Sequence, residues 1–449
     1  MAKKLIVMEF NELCPSLISK FIDQGRLPNF KKLRELSKTY ITDANVEGEA
    51  LNPWVQWVSV HTGLKADEHK VFRLNEIKNF KGNFTWDELS AQGLKCWICG
   101  SMNAAHGAKF NGELVPDPWS EDILPHPSNE FEPYFEFVQS AVIGHSRNEK
   151  ASPSSFIKFM TGNGLRFGTF VKLALQIIRE KFDPSISWKR AMLLDQIQFD
   201  LFKHRFQKNN PEFSTFFSNS TAHYQHHYWK DFEPEKFSET TPDEKKKNAV
   251  LSGYQNADDL IGKAMKLGGS ETALVFCTAL SQQPFTEKAR FYYNINSKAA
   301  LFEKFNIPGH VKLKPVMAEQ FHLECESEDE AINLENHLQG FHMEHDHYFH
   351  EGSRQVFLTS REGTIVHAQC RCTKEVEAES KIINTKTQET MPFYDAFFQM
   401  DDVKSGHHHP DGLYWFYDPA SAKEAGKNER IELERIHFDI LRYFEYQAS

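Results

Sequence analysis

Short apolar runs alternate with amphipathic stretches along the chain. Leu5-Ile6-Val7-Met8 has the continuous hydrophobicity of a strand buried on both faces, and Pro15 after Cys14 suits the first turn of a helix. That helix is predicted over Ser16–Asp23 and stops at Gly25; Leu27-Pro28-Asn29-Phe30 opens a second, running to about Ser37. Further strands are predicted at Gly93–Gly100 and Glu271–Thr278, the latter after an amphipathic helix over Ala249–Leu267. Strands alternating with helices imply an α/β fold: a mostly parallel sheet with helices on both faces.

Other segments break this rhythm. From about 125 to 210 the chain is Phe-rich and helical with Pro153 and Pro184 as breaks, which predicts a helical insertion. From 291 to 371 a strand (Phe321–Cys325), a helix (Ser327 to about Gly340) and two strands (Val356–Thr359, Ile365–Cys370) predict a small α+β cap. The core is then expected in three pieces, 1–124, 211–290 and 372–449. Its last part holds a return strand near His408–Phe416 and a final helix from about Asn428 to Tyr446.

The chain's 449 residues allow two to four domains, and 40% hydrophobic with 25% charged residues is a globular composition. A formal charge of −10 argues against nucleic acid as a general partner. Four apolar residues before Glu9 are too few for a secretory segment. With seven scattered cysteines, an odd number, this predicts reduced thiols and a cytoplasmic protein. The longest apolar stretch, Phe167–Ile178, is interrupted by Lys172 and Gln176, so no membrane span is expected, whereas peripheral binding stays open. Cys96-Trp97-Ile98-Cys99 has redox-pair spacing, but it reads as a buried strand whose cysteines point to opposite faces.

Four segments in order carry a resemblance. They are Met8-Glu9-Phe10-Asn11-Glu12 with Gly25-Arg26-Leu27-Pro28-Asn29; Asn52-Pro53-Trp54 through His61-Thr62-Gly63-Leu64 with Glu68-His69; His223-Tyr224-Gln225-His226-His227-Tyr228-Trp229; and Gly406-His407-His408-His409-Pro410-Asp411-Gly412-Leu413. Together they resemble the alkaline phosphatase superfamily in its type I phosphodiesterase and nucleotide pyrophosphatase branch. The resemblance implies a hydrolase or transferase, phosphodiesterase-like or sulfatase-like, acting on phosphate or sulfate esters. It implies two metal ions beside a Thr or Ser nucleophile, held by three aspartates and three histidines.

The resemblance also implies that most of those letters are replaced. Asn11 stands at the first aspartate, Asn52 or Pro53 at the nucleophile, and Ala222 four residues before His226; Cys277-Thr278-Ala279-Leu280-Ser281-Gln282 lacks the Asp-His pair. His226 and His408 remain as candidate metal ligands. Two dications bring four positive charges, and an uncompensated buried ion costs several kcal/mol or more. A standard two-metal site is therefore disfavoured.

Two rescues follow. Glu9 and Glu12 with His226 and His408 offer a single zinc or manganese site. Alternatively Asn11, Asn52, Gln282 and Gln283, with Trp54 nearby, line a neutral hydrogen-bonding pocket for a small anionic or glycan-type ligand. The rival class is a pseudoenzyme that binds a phosphorylated metabolite, sugar or protein partner without turnover. A glycosidase using Glu9 and Glu12 is weaker, since paired carboxylates must sit about 5 Å or about 6.5–9.5 Å apart across a substrate. A Ser59/His61 pair lacks a recognisable third member, Lys245-Lys246-Lys247 reads as a solvated helix start, and His342, His345, His347 and His350 read as a surface loop.

Overall fold

In the computed structural model of the chain, residues 3–74, 76–120, 123–143, 152–237, 241–286, 291–315, 320–349, 353–400, 404–421 and 428–445 are described. The Lys4–Phe10 strand is central, pairing in parallel with Phe213–Ser218 on one side and Thr272–Cys277 on the other. It belongs to an eight-stranded sheet. In spatial order the strands are Glu429–Glu432, Lys38–Asp43, Asp411–Tyr417, Thr272–Cys277, Lys4–Phe10, Phe213–Ser218, Cys96–Cys99 and Gly112–Val115. Asp411–Tyr417 runs antiparallel to both neighbours; the other pairings are parallel.

The sheet is buried on both faces, which is why its central strand reads as unbroken apolar sequence. Ile6, Met8 and Phe10 meet one core with Leu17, Phe30, Phe199, Phe202 and Leu260; Leu5 and Val7 meet the other with Trp57, Val58, Trp86 and Ile436. Helices cover both faces: Pro15–Asp23, Pro28–Leu36, Arg190–Asn209 and Ala249–Gly268 on the first, and Pro53–Thr62, Thr85–Ala91 and Arg435–Glu445 on the second. The Cys96–Cys99 strand places Cys96 in one core and Cys99 in the other. Burial pushes the Cys96 thiol up to about 12, so this pair is packing rather than redox chemistry.

Two expectations are corrected here. The helices of 125–210 do not form a separate insertion throughout, because Phe199, Phe202 and Phe206 of Arg190–Asn209 are built into the main core. The final helix is shorter than expected. Glu429–Glu432 is an edge strand parallel to Lys38–Asp43, anchored by Arg430 to Asp43 at 2.9 Å and to Asp411; Tyr446 lies outside the described residues.

Thr286–Lys404 forms a second unit with its own core around Phe305, Phe341, Phe357 and Phe397. A four-stranded antiparallel sheet, Phe357–Glu362, Ile365–Cys370, Gln320–Glu324 and Lys312–Pro315, is crossed by the Glu328–Leu338 helix, which Ser327 caps. Residues 372–404, expected in the main sheet, lie here instead: Lys381–Asn384 pairs with Phe341–Met343. His345 sits by Glu344 and His347 by Glu377, their rings stacked 5.4 Å apart, and among the described residues they form no metal-like cluster; His350 lies outside the described residues. Among the described residues no helix is long and apolar enough to cross a membrane.

Candidate metal centre

The central strand ends at Phe10, and the chain turns sharply through Glu12, whose φ of 61° lies in the left-handed region. That turn drops the Glu12 carboxylate into the protein, 2% exposed, at the ends of the parallel strands. A relay of three hydrogen bonds ties the turn down. Gln225 Nε2 donates to the Glu12 carbonyl at 2.8 Å, Tyr254 donates its hydroxyl proton to Gln225 Oε1, and the Cys14 amide donates to the Tyr254 oxygen at 2.7 Å.

Two histidines converge on this carboxylate. His226 comes from the Ser220–Phe232 helix and places Nε2 3.0 Å from Glu12 Oε2. His408 comes from the short strand Gly406–His409 and places Nε2 3.6 Å from Oε1. Both rings are fixed from behind by backbone carbonyls: His226 Nδ1 is 2.9 Å from the Gly406 oxygen and His408 Nδ1 2.9 Å from the Leu51 oxygen. A carbonyl only accepts, so each Nδ1 carries the proton and each Nε2 faces Glu12, the outer-sphere arrangement that presents imidazole to a cation.

Burial alone would raise the Glu12 carboxyl. The two imidazoles in their protonated form, with hydrogen bonds from protonated His226 and from Gln282, outweigh it and bring the group down to about 2; a cation bound at the two Nε2 atoms would take the place of those protons. The carboxylate oxygens are further held by Asn11 Nδ2, 2.8 Å from Oε1, and by Gln282 Nε2 on Oε2. Asn11 is itself clamped by the Trp57 indole, which donates to its Oδ1 at 2.9 Å, and by Asn219 Oδ1 at 2.8 Å.

A tetrahedral ion with bonds of about 2.0–2.1 Å sets its ligand atoms roughly 3.3 Å apart. The spacings of 3.0 and 3.6 Å lie on either side of that value, and one ligand atom from each of the three residues fits within 4.8 Å of the others. Glu12, His226 and His408 are the one group of this kind among the described residues. The donor set suits a borderline ion such as zinc, with three protein ligands leaving positions open.

The other candidates fall elsewhere. Glu9 shares a strand face with Asn11, as alternation requires, but its carboxylate is 1% exposed and bound by His61 Nε2 at 2.9 Å and Ser101 Oγ at 2.6 Å. It joins neither the cluster nor a carboxylate pair across a substrate. Gln282 faces the site because it lies opposite His408 in the two-stranded ladder; Gln283 lies opposite His407 and points to the other face. Trp54 donates its indole proton to the Phe72 carbonyl, away from Glu12. Asn52 precedes the Pro53–Thr62 helix beside Leu51, with a buried Oδ1 that has no hydrogen-bond partner among the described residues. Ser59 and His61 do not pair: Ser59 meets His69, whose Nδ1 accepts from the Val71 amide, so Nε2 keeps the proton and cannot serve as a base toward Ser59. Sequence reasoning missed Asn219 and the Trp57, Gln225 and Tyr254 anchors, because nothing in their spacing marks partners 29 to 213 residues away in the chain.

No family model matches the sequence, and no curated protein matches it. Among solved structures, the chain is similar to phosphonoacetate hydrolase from Sinorhizobium meliloti 1021 in complex with phosphonoacetate, at 11% identity and a TM-score of 0.45, covering 98% of this chain and 95% of that one. The complex with phosphonoformate gives 11% and 0.43 over 98% and 95%. Human ectonucleotide pyrophosphatase/phosphodiesterase 5 gives 10% and 0.44 over 99% and 95%.

Proposed function

We propose that the chain holds one divalent cation, zinc or manganese, between Glu12, His226 and His408, and acts there on phosphate or sulfate esters. In this reading it is an alkaline-phosphatase-like protein whose two-metal site has contracted to one. The observation that carries it is the pairing of each Nδ1 with a backbone carbonyl while both Nε2 atoms face a single buried carboxylate. One carboxylate against one dication leaves a single positive charge, which an anionic ester offsets; against two dications it would leave three.

A bound ion would supply Lewis acidity and a more acidic water at this point. The chain's own residues do the rest. Asn11 and Gln282 hold the carboxylate in place, and the two carbonyls hold the imidazole tautomers. Asn52 offers an amide where the resembled family has a hydroxyl, so the reading has water attack the ester without a covalent enzyme intermediate.

The same Asn52 favours a second reading, binding without turnover. A panel of aryl phosphate, bis-aryl phosphate and aryl sulfate esters, assayed with added zinc or manganese, separates the two. Turnover lost in the His226→Ala/His408→Ala double variant supports the enzyme. Ester binding without turnover supports the pseudoenzyme, and neither binding nor turnover overturns both.

A further inference from the structure

The helix Phe167–Phe182 is inside out. Its buried positions are Thr169, Gln176 and Glu180, all polar, while Phe167, Phe170, Leu175, Ile177, Ile178 and Phe182 are exposed, Phe167 at 82% and Phe182 at 86%. At about 100° per residue the outward residues, with Val171 and Ala174, fall within roughly 160° of arc. The inward polar face is satisfied locally. Gln176 Nε2 donates to Glu180 Oε1 at 2.8 Å and to the Ile186 carbonyl at 2.9 Å, and Arg190 pairs with Glu180. The helix is thus fastened by hydrogen bonds and by Leu173, which packs against the main core, and presents the rest of its apolar side to solvent, an arrangement that costs free energy unless something covers it.

Charge indicates what covers it. Residues 153–190 hold seven Lys or Arg and two Asp or Glu in a chain whose net charge is −10. Arg166 and Arg190 are taken up by Asp200 and Glu180. Lys158, Lys172, Arg179 and Lys181 are exposed, with Ile157 exposed one residue before Lys158. A second copy of the same face would set these cations against each other. An anionic surface complements them.

We propose that Phe167–Phe182 is an interfacial helix that lies flat on an anionic lipid bilayer, its aromatic and aliphatic side chains in the headgroup boundary and its lysines and arginines against lipid phosphates. At 16 residues, about 24 Å, it is too short to span. Lys172 and Arg179 edge the apolar arc on one side and Lys181 lies within it at the C-terminal end; a large apolar arc accompanied by basic residues is the composition such helices use.

Flotation of the full chain with vesicles tests this. The protein should float with vesicles containing about one third phosphatidylserine, less so as salt rises, and should not float with phosphatidylcholine alone. Both Phe167→Ser/Ile178→Ser/Phe182→Ser and Lys172→Glu/Arg179→Glu/Lys181→Glu should cut the bound fraction about tenfold while leaving thermal unfolding unchanged, since every altered position is exposed. Failure of the wild type to float with anionic vesicles overturns the proposal. So does flotation that neither variant reduces, or a concentration-dependent dimer abolished by the apolar variant in a protein that ignores lipid.

Discussion

Glu12 Oε2 and His226 Nε2 meet at 3.0 Å beside a second imidazole, that of His408, and two side-chain amides, those of Asn11 and Gln282. Two elements far apart in sequence are brought to that distance by one sharp turn after the central strand and one helix packed over the strand ends. The buried negative charge requires a positive partner, and the imidazoles are posed to share a cation or to carry a proton themselves.

Placing an aspartate at Asn11 should expose this balance. The Nδ2 that donates to Glu12 and Asn219 would become an oxygen 2.8 Å from two acceptors, one of them charged. Asn11→Asp is expected to destabilise the metal-free protein by about 2–4 kcal/mol and to recover part of that loss on zinc addition. Urea unfolding with and without zinc reads both effects; an unchanged midpoint in both conditions would contradict the assigned hydrogen bonds.

Gly406 is held to glycine by its neighbours. A Cβ there would lie 2.4 Å from Gln282 Oε1 and 2.5 Å from the Gln225 carbonyl, and the latter belongs to the helix that carries His226. Gly406→Ala should push the His408 strand away, costing about 1–3 kcal/mol and weakening zinc binding together with stability. Isothermal titration beside thermal unfolding checks that the two losses occur together.

The sheet was legible because its central strands are buried on both faces and so read as apolar blocks, as Leu5–Met8 and Thr272–Cys277 do. His226 and His408 were singled out by their place in the segments that carry the resemblance, and the structure brings both to Glu12. Glu9 and Glu12 were equivalent in sequence; they differ because Glu9 stays in the strand and faces His61, whereas Glu12 takes a left-handed turn that no residue type announces. Gln282 and Gln283 were likewise equivalent until strand pairing set their faces.

Acid should destabilise the fold before the carboxylates titrate. Burial holds His69 down to about 4, opposed by Asp67 and Glu68, and holds His437 down to about 4 as well. Both remain neutral when folded and take up a proton on unfolding. Their stabilising contribution is therefore full above about pH 6.5 and is lost as pH falls toward 4, at up to about 1.4 kcal/mol per pH unit for each. Urea midpoints from pH 7 to 4 should show this slope, flattened in His69→Asn and in His437→Asn.

Asp195 works in the opposite sense. Burial raises its carboxyl to about 6 against the pull of Ser220 and Ser218, so the folded state holds a proton that the unfolded state has released above about pH 4. Its effect is a stability loss that grows as pH rises from about 4 to 6 and is complete above that. Asp195→Asn should therefore leave stability unchanged near pH 4 and raise it by roughly 2–3 kcal/mol at pH 8. A variant equally destabilised at both pH values would show that the ionised form is the one the fold requires.

The metal stoichiometry of the purified chain tests the account most directly. Native mass spectrometry after dialysis against micromolar zinc should show one ion per chain, and Glu12→Gln should lower the affinity at least about 100-fold. Zero ions, two ions, or a single ion that survives Glu12→Gln would each contradict a centre built on Glu12, His226 and His408.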